Sequence, residues 1–310
     1  MVARQITPLL FALSAMFAAA LFFVEPALQP EPHASATTAQ PDPQGAEAGG
    51  QSTPSLDLSR SQRQDIAQDS GLMEASPLTD TFIFPSTIQG KRFGIDVSHY
   101  SGNVDWAAAA KAGVPTVYIK ATQGTNVTDS KFAENWKGAT AAGIRAGAYH
   151  FLSSLSDPTA QAEHFLSVYS KDIRSADDLP PVLDVEWDFS PKSASGQQSD
   201  RWSSKSPDEI VTAIKAWTDR VAQDLPDDTP IRIYTATRWW TTRIKDAGND
   251  LAEKHLLWIS DYTSQDLKNG TPTVPEGFKP VAWQFTDKGT VPGISPSVDV
   301  SEILGEPSAD

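Results

Sequence analysis

From Phe93 onward the chain alternates short apolar runs with helical patterns, and few architectures accept that order. Apolar or β-branched runs predict strands over 93–96, 116–120, 145–150, 182–186, 231–235, 256–260 and 281–285, with a short eighth over 297–300. Five helices are expected between the first six strands, over 104–112, 129–142, 158–171, 207–225 and 237–247. The fourth is the clearest: Ser206-x-x-Glu209 reads as a capping box, and Ile210, Ala213, Ile214, Trp217 and Val221 form one face. Alternating apolar strands and helices imply a parallel sheet covered by helices, and eight strands favour closure over an open sheet. Residues 261–280 and 286–296 read as loops. The expected fold is therefore α/β, an irregular TIM-like (β/α)5(β)3 barrel.

The chain before the barrel reads differently. Arg4 precedes an apolar run, Leu9 to Val24, that resembles an export signal. The run is a little short of the ~20 residues of a spanning helix, so cleavage and retention as a membrane anchor both stay open over residues 1–25. Residues 26–90 are rich in Pro, Ala, Ser, Gln and Gly and predict a disordered tether, with a weak helical pattern around Leu56–Met73. The folded domain is expected over 91–306, with 307–310 as a tail. An exported protein is the expectation, secreted, periplasmic or tethered to the membrane through residues 9–24, and taken as a monomer. The chain has no cysteine, which excludes disulfides, thiolate metal sites and a cysteine nucleophile. Its net charge of −14 argues against a nucleic-acid partner.

In a parallel barrel, chemistry sits at the C-terminal strand ends. Asp96 closes the first predicted strand, Lys120 the second, and Tyr149 and His150 the third. Asp184 and Glu186 close the fourth and Tyr234 the fifth. Asp261 follows the sixth, Trp283 and Gln284 lie in the seventh, and Asp299 is in the eighth. Period two puts Asp184 and Glu186 on one face. Two like charges held together disfavour double ionisation, and a carboxyl kept protonated can act as a general acid. A single strand-end acid is usually solvated or caps a helix; four on one rim, with aromatic side chains between them, suit acid–base cleavage of a glycosidic bond.

Those same residues carry a family likeness. Gly94-Ile95-Asp96-Val97-Ser98-His99-Tyr100 followed by Val104-Asp105-Trp106 resembles the opening of the family 25 glycoside hydrolases, the muramidase-type lysozymes. So do Ile119-Lys120-Ala121-Thr122-Gln123-Gly124, Gly147-Ala148-Tyr149-His150-Phe151, Leu183-Asp184-Val185-Glu186, Trp283-Gln284-Phe285 and Val298-Asp299-Val300. The match runs in order over some two-thirds of the chain. It implies hydrolysis of the β-1,4 bond between N-acetylmuramic acid and N-acetylglucosamine in peptidoglycan glycan strands, with net retention and no cofactor. By position, Glu186 looks like the proton donor. Asp96 and Asp299 each look like a nucleophile or an electrostatic support, and Asp184 like a stabilising or orienting group. Tyr149, Tyr234, Trp283, Lys120, Tyr100 and Asp261 are the expected substrate contacts. There are departures: Tyr100 stands where the family usually has Trp, Gln123 where it usually has Glu, and 188–205 looks like an insertion beside the catalytic strand.

Three rivals are weaker. A metal-dependent deacetylase would use His99 and His150 with Asp96 and Asp184, but the chain has neither H-E-x-x-H nor H-x-x-x-H. Hydrogen-bonded rim or core histidines are the plainer reading. A serine hydrolase lacks its G-x-S-x-G elbow. An inactive, glycan-binding barrel would use the same aromatic residues but has no need of the intact acid set.

Overall fold

The computed structural model describes residues 56–59, 62, 63, 66, 82–84, 88–263, 267 and 269–305. The strands are β1 (Arg92–Val97), β2 (Thr116–Gln123), β3 (Val127–Thr128), β4 (Arg145–Phe151), β5 (Val182–Asp184), β6 (Arg232–Ala236), β7 (Leu256–Ser260), β8 (Pro280–Gly289) and β9 (Val298–Ile303). β1 pairs parallel with β2 on one side and antiparallel with β9 on the other, closing the sheet. From β2 the ring runs through β4, β5, β6, β7 and β8 in parallel, and β9 returns antiparallel to β8. Eight strands make the barrel, and β3 hangs from β2 as a two-residue antiparallel flap.

The helices α1 (Trp106–Lys111), α2 (Phe132–Ala141), α3 (Pro158–Val168), α4 (Pro207–Ala222), α5 (Thr237–Arg243) and α6 (Leu251–Lys254) fill the crossovers. The predicted capping box forms: Glu209 N donates to Ser206 Oγ (3.3 Å) and Ser206 N to Glu209 Oε2 (2.7 Å). α3 begins at Pro158 because Asp157 Oδ1 accepts the Ala160 amide (2.8 Å) and proline at the first position loses no bond. α2 starts later than expected. Asp129 turns one carboxylate oxygen to the backbone and ring of His99 (3.0 and 2.8 Å), and Lys131 takes the cap position instead. β8 extends to Gly289 through a stretch expected to be loop. Two register shifts against β9, on either side of Thr286, carry the strand past the polar Thr-Asp-Lys sequence to Gly289 without an alternating pattern.

Strand alternation sorts the core into two layers. Tyr118, Tyr149, Val182, Tyr234, Trp258 and Ala282 pack together inside the ring, with Leu179 beside them. Their chain neighbours, including Val117, Ile119, Ala148, Leu183 and Ile233, join the larger cluster that includes the helices. His150 belongs to the outer layer. It is wholly buried, stacks on Trp217 (5.5 Å between centroids), and bonds Thr122 Oγ1 (2.7 Å) and Gln161 Oε1 (3.2 Å).

The ordered body begins before residue 91, which corrects the expected boundary. Phe82 and Phe84 are buried against Phe93 and Phe285, and Phe84 N and Thr290 N exchange bonds with Thr290 O and Phe82 O (2.9 and 2.7 Å). Residues 56–59, 62 and 63, also inside the expected tether, are described too; Gln62, Arg63 and Ile66 are helical. Among the described residues no helix is long and apolar enough to cross a membrane; the 9–24 run lies outside them.

Burial pushes the His150 imidazole down to about 3. A depressed histidine contributes stability that is fully present above its unfolded value of about 6.5 and is lost as pH falls. Urea unfolding at pH 7.5 and 5.5 should show about 1.4 kcal/mol more loss in the wild type than in His150→Gln. Equal losses would mean that His150 is protonated in the fold.

Candidate active site at the barrel mouth

The sharpest geometric fact about the rim is a register. β1 and β9 run antiparallel with Asp96 directly opposite Asp299, so the two carboxylates are cross-strand neighbours on one face. Asp96 is buried and Asp299 half-buried. Like charges so placed repel unless donors reach them. Gln284 supplies one: its Nε2 donates to Asp96 Oδ2 at 2.9 Å. The amide is held in that sense from behind, because Tyr234 and Tyr262 hydroxyls both donate to Gln284 Oε1 at 2.8 Å. Two donors on one oxygen leave only the nitrogen to face the acid. This buried chain of Tyr234, Tyr262, Gln284 and Asp96 fixes the carboxylate's position.

Glu186 lies two residues past the end of β5. Val185 N still donates to Tyr234 O (2.9 Å), so pairing with β6 continues beyond Asp184. Asp184 and Glu186 are both buried. A cavity of about 270 Å³ at the mouth is lined by Asp96, Asp299, Lys120, Tyr100 and Tyr149, and also by Arg63. Arg63 Nε sits 3.1 Å from Glu186 Oε1 and links that acid to the cavity. Lys120 Nζ, buried beneath the rim, contacts Gln123 Oε1 (2.7 Å) and Asp57 Oδ1 (2.6 Å). Burial pushes the Lys120 ammonium below its ordinary value, Arg63 adds to that, and Asp57 opposes it. Gln123, the departure from the family's Glu, is thus the neutral acceptor for Lys120.

The expected contacts separate into groups. Asp96, Asp299, Lys120, Tyr100 and Tyr149 meet at one cavity. Tyr234 is wholly buried and reaches the site through Gln284. Trp283 is not a sugar platform in this structure. Alternation that turns Gln284 inward turns Trp283 outward, where it is wholly buried and donates Nε1 to Asp261 O (2.7 Å). The Asp261 carboxylate accepts Thr263 N (3.0 Å) and Thr273 N (2.6 Å), which shapes the loop after β7. It lines a separate cavity of about 460 Å³ with Trp187, Arg238 and Tyr262. Asp184 is wholly buried and lines neither.

The 188–205 insertion is pinned beside the β5 end. Ser154 N and Oγ donate to Asp188 Oδ2 (both 2.8 Å), Phe189 bridges Asp200, and Arg243 Nε meets Asp200 Oδ2 at 2.7 Å. Among the described residues no group of three or more His, Cys, Asp or Glu is arranged to hold a metal.

A closed barrel with acids, a lysine and two tyrosines around one cavity at the C-terminal rim is the frame of a glycoside hydrolase. Residues 95–294 match Glycosyl hydrolases family 25, and the chain belongs to that family. Over 217 residues it is 36% identical to Lysozyme M1 of Streptomyces globisporus, covering 68% of this chain and 67% of that protein. The bacterial lysozyme from Streptomyces coelicolor superposes with a TM-score of 0.59 at 35% identity, covering 70% of this chain and 94% of that one. The muramidase from Acremonium alcalophilum gives 0.57 at 31% identity, over 70% and 95%.

Gln284→Glu tests the buried chain. It puts an oxygen where Nε2 now donates to Asp96, so one proton must be held between two acids. A carboxyl raised in the fold contributes stability below its unfolded value of about 4.3 that is lost as pH rises. Relative to wild type, urea unfolding of the variant should show a deficit growing by about 1–3 kcal/mol between pH 4.5 and 7.5. Parallel profiles would detach Gln284 from Asp96.

Proposed function

We propose that the barrel is a peptidoglycan muramidase that acts outside the cell on the β-1,4 bond between N-acetylmuramic acid and N-acetylglucosamine. The observation that carries this reading is the Asp96–Asp299 cross-strand pair sharing its cavity with Arg63, which contacts Glu186. Family membership supports the same reading, as do relatives that are themselves lysozymes and muramidases.

Glu186 donates the proton to the leaving glycosidic oxygen. Burial of that carboxyl, with the insertion packed behind its strand, keeps bulk water from competing for the proton. As the bond breaks, positive charge grows at the anomeric carbon and ring oxygen, and Asp96 stabilises it from a position held by Gln284. Asp299, opposite Asp96 and half-buried, supplies the second negative charge on that side. The catalysis is carried by side-chain acids and needs no cofactor. Tyr149 and Tyr100 line the path of the sugar. The apolar run at 9–24 supports delivery across a membrane.

Incubating the full chain with purified sacculi should release new reducing ends. Glu186→Gln preserves shape but removes the acid, so turnover should fall about 10²–10⁴-fold while sacculus binding survives. Near-normal turnover in that variant would take the proton-donor role from Glu186.

A further inference from the structure

Chain outside the barrel stands in its mouth. Leu58, Ser59, Gln62 and Arg63 line the same cavity as Asp96, Tyr149 and Asp299. The segment is locally built: Ser59 N donates to Gln62 Oε1 (2.9 Å) and Gln62 N to Ser59 Oγ (3.1 Å), a reciprocal cap that starts a helical turn. Leu58 and Ile66 pack against the core.

Its polar groups meet the site one by one. Arg63 is almost completely buried, with Nε 3.1 Å from Glu186 Oε1 and its guanidinium 4.2 Å from the Phe151 ring centre. Arg63 Nη1 also donates to Leu58 O (2.6 Å), which ties the guanidinium to its own turn. Asp57 takes Lys120 (2.6 Å) with its carboxylate and the Tyr100 hydroxyl with its carbonyl. Leu56 O accepts Gln123 Nε2 (2.7 Å). Glu186, Lys120, Tyr100 and Gln123 all lie in stretches that carry the family likeness, and the segment engages each of them.

We propose that residues 56–59, 62 and 63 act as an intramolecular inhibitor that a glycan strand must displace before it can be cut. This rests on the mouth being the muramidase site. Two consequences follow from the geometry. With the segment seated, the remaining space of about 270 Å³ lies below the usual ~300–1,000 Å³ of ligand pockets. And the Arg63 guanidinium stands against Glu186 Oε1, on the carboxyl that the leaving glycosidic oxygen has to reach. Because the segment is joined to the barrel by the intervening chain, it competes at an effective concentration that substrate must overcome. Long, multiply bound glycan strands displace it more readily than short oligosaccharides.

The test compares full-length wild type with the double variant Asp57→Ala/Arg63→Ala. Two readings are taken: affinity for N-acetylglucosamine tetramer by calorimetry, and kcat/KM on a soluble peptidoglycan tetrasaccharide. If the closed state dominates, both should improve about tenfold or more, because apparent affinity scales with the open fraction. A peptide of residues 55–66 should inhibit the double variant at millimolar concentrations, the range of a short tether's effective concentration, and the peptide carrying Arg63→Ala should not. A folded double variant that binds and cleaves no better than wild type overturns the proposal. The calorimetric arm reads the segment without catalysis. Absence of reducing ends from both chains, with tighter tetramer binding by the variant, sinks the muramidase reading and leaves the plug standing.

Discussion

Once eight strands close into a ring, every strand residue faces either the lumen or the helices, and a period of two decides which. In β2 this sends Tyr118 and Lys120 inward and Val117 and Ile119 outward. In β4 it sends Tyr149 inward and His150 outward; in β8, Gln284 inward and Trp283 outward. Aromatic rings fill the lower lumen, and the polar residues one pleat further along stand at the mouth. The acidic rim is thus the top layer of the barrel's own interior.

Asp96, Asp184 and Glu186 in that layer are buried, and burying charge is costly unless partners reach it. The structure answers with dedicated groups. Gln284 reaches Asp96 and is itself oriented by two tyrosine hydroxyls. The Ser153 and Ser154 hydroxyls reach Asp188, and Arg243 reaches Asp200, both within the insertion next to Glu186. Such satisfied networks are stiff, and stiffness is what a site gains when charge develops during reaction. At Glu186 one partner is Arg63, from outside the barrel. In the proposed inhibition, that neighbour leaves before Glu186 acts.

Much of this was legible because periodicity carries both fold and face. The eight barrel strands, the five main helices and the pairing of acids with strand ends follow from alternation and capping. Asp96, Tyr149 and Lys120 line one mouth cavity for that reason. Trp283 does not: the aromatic character of the motif suggests a sugar contact, while its parity opposed to Gln284 is the better guide. Gln284 and Tyr262 stood in view as polar residues at strand ends, but only tertiary contacts reveal that they act through Asp96. Segment 56–63 was hidden more deeply. Its surroundings are polar and proline-rich, its helical signal is one turn long, and its polar anchors are residues 43 or more positions away along the chain, a distance no local pattern encodes. Phe82 and Phe84 were missed because two alternating rings are too few to register as a strand.

The central claim is that one rim seats a glycosidic bond between Glu186 and the Asp96–Asp299 pair. A crystal structure of the Glu186→Gln chain with a bound N-acetylglucosamine tetramer tests it most directly. The account predicts a glycosidic oxygen within about 2.6–3.2 Å of the residue 186 side chain, with Asp96 and Asp299 across the sugar and residues 56–63 displaced. A tetramer bound on another face, with the rim empty of sugar, would contradict it.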